Sequence, residues 1–438
     1  MKLKPLYLFI FAVLFPLNAY AVDVERVISP SGIEAWLVQD HSNPVVSVRF
    51  AFQGGSELDP EDKKGLANLA ASTMDEGAGD IDSQAFQQIL ADQSITLRFE
   101  AGYDRFSGQV KTLTENADQA FDLLRLALTK PRFDAEPVAR LKSQIISGIR
   151  ASSEKPGKIA FNALYENLFP GHGYASDSDG SVESVEAITQ ADLKAFAETR
   201  LARGNLIVGV TGDVTPKQLG ALLDKAFGSL PAKPNFTHQP ETSAKAIGRL
   251  QVIDRKIPQS TIVFGHGGLK RDHPDYYAAL VMNHIVGGGS FTSRLYEEVR
   301  EKRGLAYSVG SSLYPMNLAG MIVGSAATEN ARVSETIDVI RAEWARMAAG
   351  EVSQQELDDA KTYVTGSFPL RFTSTDAIAQ ILVAMQVNDL GLDYLDKRNA
   401  YISSVTLEDV KRVAAEHLHP DLLDIIVVGR PAGIVPSH

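Results

Sequence analysis

No cysteine occurs among the 438 residues. That absence excludes disulfides, thiolate metal ligands and a cysteine nucleophile, so in an oxidising compartment the chain must rely on large cores. Basic residues are also in deficit, 43 Lys+Arg against 54 Asp+Glu. An acidic surface repels nucleic acid and anionic lipid, and neither is expected as a ligand. Long apolar runs are lacking as well. The run from Leu6 to Phe15 falls short of the roughly 20 residues a span requires, and no later run is longer. With Lys2 and Lys4 before it and Ala19-Tyr20-Ala21 after it, it reads as a signal peptide over 1–21. Cleavage there takes Lys+Arg from 43 to 41 against 54 Asp+Glu, a formal charge of −13. The expected location is the periplasm.

What is present is ordinary globular composition, 44% hydrophobic and 22% charged, which rules out disorder and fibrous classes. The length suits two domains, each large enough for its own core. Apolar alternation predicts strands at Ile33 to Val38 and Val45 to Phe52, then a hairpin of Leu97 to Gly102 with Phe106 to Leu113. Helical periodicity covers Gly65 to Met74, Ala117 to Thr129, Pro137 to Ser152 and Thr189 to Arg200, the last with Thr189 as N-cap. Leu206 to Val210 reads as an apolar strand. From Leu230 to Gly248 neither period holds, and the stretch reads as a linker.

Beyond it the same order returns. Strand patterns at Leu250 to Ile253 and Thr261 to Gly265 precede a helix from Pro274 to Val286. A second strand pair, Leu305 to Leu313 and Met321 to Ala326, precedes helices at Val333 to Ala348 and Ser353 to Gly366. Such order implies an internal duplication with a period of about 200 residues, each copy an α+β unit with helices on an antiparallel-rich sheet. The expected division is a first domain over 22–229, a linker over 230–249 and a second domain over 250–438.

The stretch Gly54-Gly55-Ser56-Glu57 to Lys63-Lys64-Gly65-Leu66-Ala67 resembles the opening of pitrilysin-like (insulinase, mitochondrial-processing-peptidase) zinc peptidases. There a glycine-rich strand end leads into a helix bearing H-x-x-E-H, whose histidines bind zinc while the glutamate activates water. Here the five positions read Asn68-Leu69-Ala70-Ala71-Ser72, so both histidines and the base are missing. The family's third ligand, a glutamate on a later helix, aligns with Ile145-Ile146-Ser147-Gly148-Ile149, where Ser147 and Gly148 stand at the glutamate pair. None of the nine histidines is spaced H-x-x-x-H. Ala415-Glu416-His417 misses the inverted motif because residue 413 is Val413, and His417 and His419 suit a helix C-terminus without metal.

The second half carries Gly287-Gly288-Gly289-Ser290-Phe291-Thr292-Ser293-Arg294-Leu295, running into Glu297-Glu298-Val299-Arg300-Glu301-Lys302-Arg303-Gly304-Leu305-Ala306-Tyr307-Ser308-Val309. It is similar, nearly residue for residue, to the glycine loop, helix and strand of this family's C-terminal domains. The resemblance assigns Arg300 and Tyr307 to gripping and polarising substrate, roles suited to a cationic fork and a phenolic donor. The plainer reading makes Arg300 part of a charged helix face with Glu297 and Glu301, and Tyr307 a strand aromatic. The triple glycine lacks the lysine and spacing of a phosphate loop and reads as a close-approach or flexible turn. Phe169-Pro170-Gly171-His172-Gly173-Tyr174 is similar to the family's F-P-x-H-P-Y segment, with His172 structural.

The resemblance runs from about Val24 to Arg430 and implies paired α+β domains forming half of a clamshell. It implies a non-catalytic subunit with no metal or cofactor of its own. Its expected partner is a zinc-bearing catalytic homologue, in a heterodimer that cleaves peptides. The alternatives are a peptide-capturing homodimer or lone chain without proteolysis, and a peptidase with a non-standard metal site.

Overall fold

The computed structural model describes residues 23–434, so the expected signal peptide lies outside the described residues. The first half builds a six-stranded sheet from β1 (Glu25–Ile28), β2 (Glu34–Gln39), β3 (Val45–Gln53), β4 (Thr96–Ala101), β5 (Arg105–Leu113) and β6 (Leu206–Gly212). Its spatial order is β1-β2-β6-β3-β5-β4. The second half uses β7 (Leu250–Asp254), β8 (Gln259–Gly267), β9 (Ala306–Pro315), β10 (Gly320–Glu329) and β11 (Asp424–Gly429), in the order β7-β11-β8-β10-β9. The second order repeats β2-β6-β3-β5-β4 strand for strand. Even the single parallel pairing recurs, β2 with β6 and β7 with β11, all others being antiparallel. The architecture is α+β in two halves, as the periodicities predict.

Local signals explain most element ends. The hairpin closes with Ala101 opposite Phe106. Thr189 caps the helix Gln190–Arg200 by accepting from the Asp192 amide, while the Asp192 carboxylate accepts from the Thr189 amide. Thr406 and Asp409 repeat this device at the helix Leu407–His417.

Two helices that the sequence patterns did not single out tie the halves together. Pro156–Leu168, from the first half, packs on β8 and β11 of the second sheet. Thr375–Val387, from the second half, packs on β6 and β3 of the first. Strands buried on both faces must be apolar at every position rather than every other one. In β11, Ile425 and Val427 join the second half's own core, while Ile426 and Val428 face the incoming helix with Leu164 and Leu168. The other crossing is fastened at its start, where Arg49 donates to both oxygens of Asp376 at 2.7 and 2.6 Å. There Gly209 of β6 lets the helix lie against the sheet: a Cβ at that position would stand 2.6 Å from the Ala379 carbonyl oxygen and 2.9 Å from the Leu382 Cβ.

The hairpin turns of the two sheets also meet. Asp104, in the β4–β5 turn, accepts from the Tyr174 hydroxyl and from the Asn317 amide at 3.1 Å, and the Leu318 amide donates to the Tyr174 oxygen at 3.1 Å. Residues 230–249 contain no helix or strand yet do not hang free. The Gln239 side chain donates to the Glu57 carbonyl (2.7 Å), the Thr242 amide to Leu318 (2.8 Å) and the Lys245 amide to Leu168 (2.8 Å).

The turn after β3 is held by a buried ion pair. Arg200 and Asp59, whose side chains are 7% and 0% exposed, meet at 2.9 Å, and Arg200 also donates to the carbonyls of Gly55 and Leu58. Asp59 in turn accepts from the Ala67 amide at 3.0 Å, which sets the start of the helix Leu66–Thr73. Beside the pair, burial pushes the Glu57 carboxyl up to about 7, with the Asp104 charge adding and Arg200 opposing.

Two outcomes test this frame. Gly209→Ala is expected to destabilise by about 1–3 kcal/mol, because the added methyl overlaps backbone that cannot yield; a lowered urea midpoint would show it. Folded Glu57 holds its proton to about pH 7, whereas the unfolded carboxyl releases it near 4.5. Stability from this group therefore falls as pH rises between those values, by about 3 kcal/mol in all. Glu57→Gln should raise the melting temperature at pH 8 and leave it unchanged at pH 4.5.

Candidate functional site

The helix Leu66–Thr73 lies where the resemblance puts a zinc helix, and it packs against the helix Ala135–Ser152. The former carries Asn68, Ala71 and Ser72, the latter Ser147 and Gly148. Ala71 is buried, and the hydroxyls turn back onto their own helices: Ser72 donates to the Asn68 carbonyl at 2.9 Å and Ser147 to Ser143 at 2.7 Å. Asn68 donates its amide to Asp179 at 3.2 Å, and the other oxygen of that carboxylate takes Lys158 at 3.3 Å. A Cβ on Gly148 would meet nothing within 4 Å. Two hydroxyls, an amide and two residues without side-chain donors do not fit zinc, which takes imidazole, thiolate or carboxylate. The two helices that would carry the ligands therefore stand together without a donor set for the metal.

Among the described residues, one group of side chains has metal-ligand chemistry: His273, Asp275 and His417, with donor atoms within 4.8 Å of one another. It lies in the second half. Both Asp275 oxygens already accept from Arg412, at 2.5 and 2.9 Å, and His273 Nδ1 accepts from the Asp275 amide at 3.1 Å. A cation arriving there would have to displace a guanidinium. His417 closes the helix Leu407–His417, as its sequence position suggests, and burial followed by the neighbouring His273 holds its pKa down. His172 takes a local role, its Nδ1 accepting from the Tyr174 amide at 3.2 Å.

The glycine loop proves to be a packed turn. The helix Tyr276–Asn283 widens into a π-helical turn at His284–Gly288, a feature often found at functional sites. A Cβ on Gly287 would stand 2.3 Å from Ser311 Oγ, so only glycine lets the turn press against β9. Asn283 and Ser311 lock that contact, the Asn283 amide donating to the Ser311 carbonyl (3.2 Å) and the Ser311 hydroxyl to Asn283 Oδ1 (2.8 Å). Arg294 then anchors the next segment through Glu356, at 2.6 and 2.9 Å. Burial opposes the Glu356 charge, but Arg294 and Ser353 override it and hold the carboxyl down at about 2.

A second π-helical turn, Tyr296–Glu301, delivers Arg300. Its guanidinium lies between two rings, 4.8 Å from the centroid of Tyr296 and 4.5 Å from that of Tyr307, and donates to the Tyr307 carbonyl at 3.0 Å. The structure thus brings together the two residues the motif singles out. It adds Tyr296, which the reading of the sequence missed although it stands four residues before Arg300, on the same helical face. The plainer reading holds in part: Arg300 lies 3.6 Å from Glu301, but Glu297 pairs with Lys302 instead. Tyr307 does not pack on its sheet. It is 81% exposed, and Phe291, edge-on to Tyr296, is 72% exposed.

Two family models match the chain: insulinase (peptidase family M16) over residues 35–177, and the peptidase M16 inactive domain over residues 187–364. A crystal structure of a peptidase M16 inactive domain from Pseudomonas fluorescens is 30% identical, with a TM-score of 0.88 over 95% of this chain and all of that one. The non-peptidase homolog YmxG of Helicobacter pylori is 28% identical over 76% of this chain and 77% of its own length. The uncharacterized zinc protease YmxG of Bacillus subtilis is 26% identical over 76% and 84%. The chain belongs to the insulinase peptidase family, M16, in a form from which the H-x-x-E-H residues are missing.

Proposed function

We propose that this chain is the non-catalytic, substrate-binding subunit of a periplasmic heterodimeric zinc peptidase. Its partner is a homologous chain that bears the zinc and the base. The observation that carries the reading is the contrast between two sites on one intact frame. The helix positions for metal hold hydroxyl, amide and methyl groups, whereas Arg300 is held ready between Tyr296 and an exposed Tyr307.

An exposed aromatic beside a braced guanidinium adds little to folding and suits a surface that meets another molecule. Facing a partner's zinc, Arg300 would hold a substrate carbonyl and the Tyr307 hydroxyl would donate to the oxyanion that forms there. A peptide would be gripped mainly through backbone hydrogen bonds as an added strand, which gives affinity with little sequence preference. The name of the Helicobacter pylori relative, a non-peptidase homolog, supports inactivity of the lone chain.

Purification from the native host followed by mass measurement tests the pairing. A stoichiometric homologue bearing H-x-x-E-H is expected; a homodimer or monomer that binds peptides intact would favour the capture reading instead. In the reconstituted pair, Tyr307→Phe is expected to lower kcat by about 10²-fold, the order seen when a single oxyanion donor is lost. Arg300→Ala should reduce kcat/KM at least as much, and unchanged rates for both would refute the assigned roles. The isolated chain is expected to show no chelator-sensitive peptidase activity.

A further inference from the structure

The second half bears an open cleft of about 700 Å³, lined by the helices Tyr276–Asn283, Gln354–Gly366, Thr375–Val387 and Tyr394–Ser403 and by β9. In element order, the first two of these helices correspond to Leu66–Thr73 and Ala135–Ser152, the pair with the vacated zinc positions. Arg271 precedes the first of these helices, Arg371 follows the second, and Arg398 lies on Tyr394–Ser403.

Arg271, Arg371 and Arg398 line the cleft, and no Asp or Glu does. None of the three forms an ion pair among the described residues. Arg271 stacks on Tyr276 at 4.0 Å and donates to the hydroxyls of Tyr277 and Tyr394 at 3.0 and 3.1 Å. Arg398, 7% exposed, lies over the Phe368 ring at 3.9 Å and donates to the Val364 carbonyl and Asn399 Oδ1 at 3.3 and 3.1 Å. Burial lowers the Arg398 pKa from its ordinary value, and the nearby Arg371 charge adds to the effect. Arg371 is exposed.

The other buried arginines of this protein behave differently: Arg200 faces Asp59 and Arg294 faces Glu356. Burying a cation without a counter-charge is costly, so the buried Arg398 guanidinium, with half-buried Arg271 on the same acid-free wall, points to a counter-charge from outside. Guanidinium is a planar fork suited to carboxylate. Leu280, Leu313, Ile381, Met385 and Leu390 form an apolar patch on a wall that otherwise carries polar groups such as Asn283, His284 and Asn388, and the volume falls in the range of small-molecule sites.

We propose that this cleft binds the carboxyl end of a short peptide, its terminal carboxylate on Arg271, Arg371 and Arg398 and its last side chain on the apolar patch. The proposal is independent of the roles given to Arg300 and Tyr307 and of any zinc-bearing partner. It makes the second half a receptor for peptide ends, the class of product that a peptidase releases.

Calorimetry of the purified chain with the tripeptide N-acetyl-Ala-Ala-Phe as the free acid, with its C-terminal amide and with inorganic phosphate tests it. The acid should bind, and the amide should bind at least about tenfold more weakly, as expected for a lost charge-assisted contact. Arg371→Gln, at an exposed position, should weaken the acid by about tenfold with an unchanged melting curve. Arg271→Gln should do the same if it folds. Equal binding of acid and amide, or no binding of either, would overturn the proposal, as would phosphate binding as tightly as the peptide acid.

Discussion

Each sheet of this protein is closed on its second face by a helix from the other half, and the rest of the structure follows from that exchange. A sheet with one bare apolar face cannot remain in water. Here Pro156–Leu168 covers the second sheet and Thr375–Val387 the first, so neither half completes its burial alone. The contact between the Asp104 and Asn317 turns and the pinning of residues 230–249 are consequences of this reciprocal closure. Both halves therefore contribute to both packings.

Within this frame, separate local contacts hold the zinc-position helix and the arginine–tyrosine segment. The turn before the helix Leu66–Thr73 is still set by Arg200 and Asp59, a buried pair whose removal would strand a charge. The helix therefore keeps its place, although Asn68, Ala71 and Ser72 offer no metal donors. Across the molecule, the glycine turn, the Asn283–Ser311 lock and the Arg294–Glu356 pair hold the segment that presents Arg300. Different residues hold these two regions in place.

Charge pairing follows a simple pattern with one exception. Arg200 and Arg294 meet carboxylates where they are buried, while Arg271 and Arg398 meet only hydroxyls, carbonyls, an amide oxygen and rings. A guanidinium without a carboxylate partner is a standing attraction for an anion.

Much of this protein is set by the sequence alone. Apolar alternation marked both strand pairs, Thr189 with Asp192 marked a helix start, and the residues at 68–72 excluded a zinc helix by their chemistry. These are local features, carried by neighbours in the chain, and they survive without knowledge of what packs where. The tertiary structure alone decided which helix covers which sheet, since Pro156–Leu168 and Thr375–Val387 take their meaning from a sheet in the other half. It also decided that the triple glycine is pressed against Ser311, that Tyr296 braces Arg300, and that arginines from 271 to 398 in the chain share one cleft without an acid. Whether a charge finds a partner depends on contacts between residues far apart in sequence, and no local period records them.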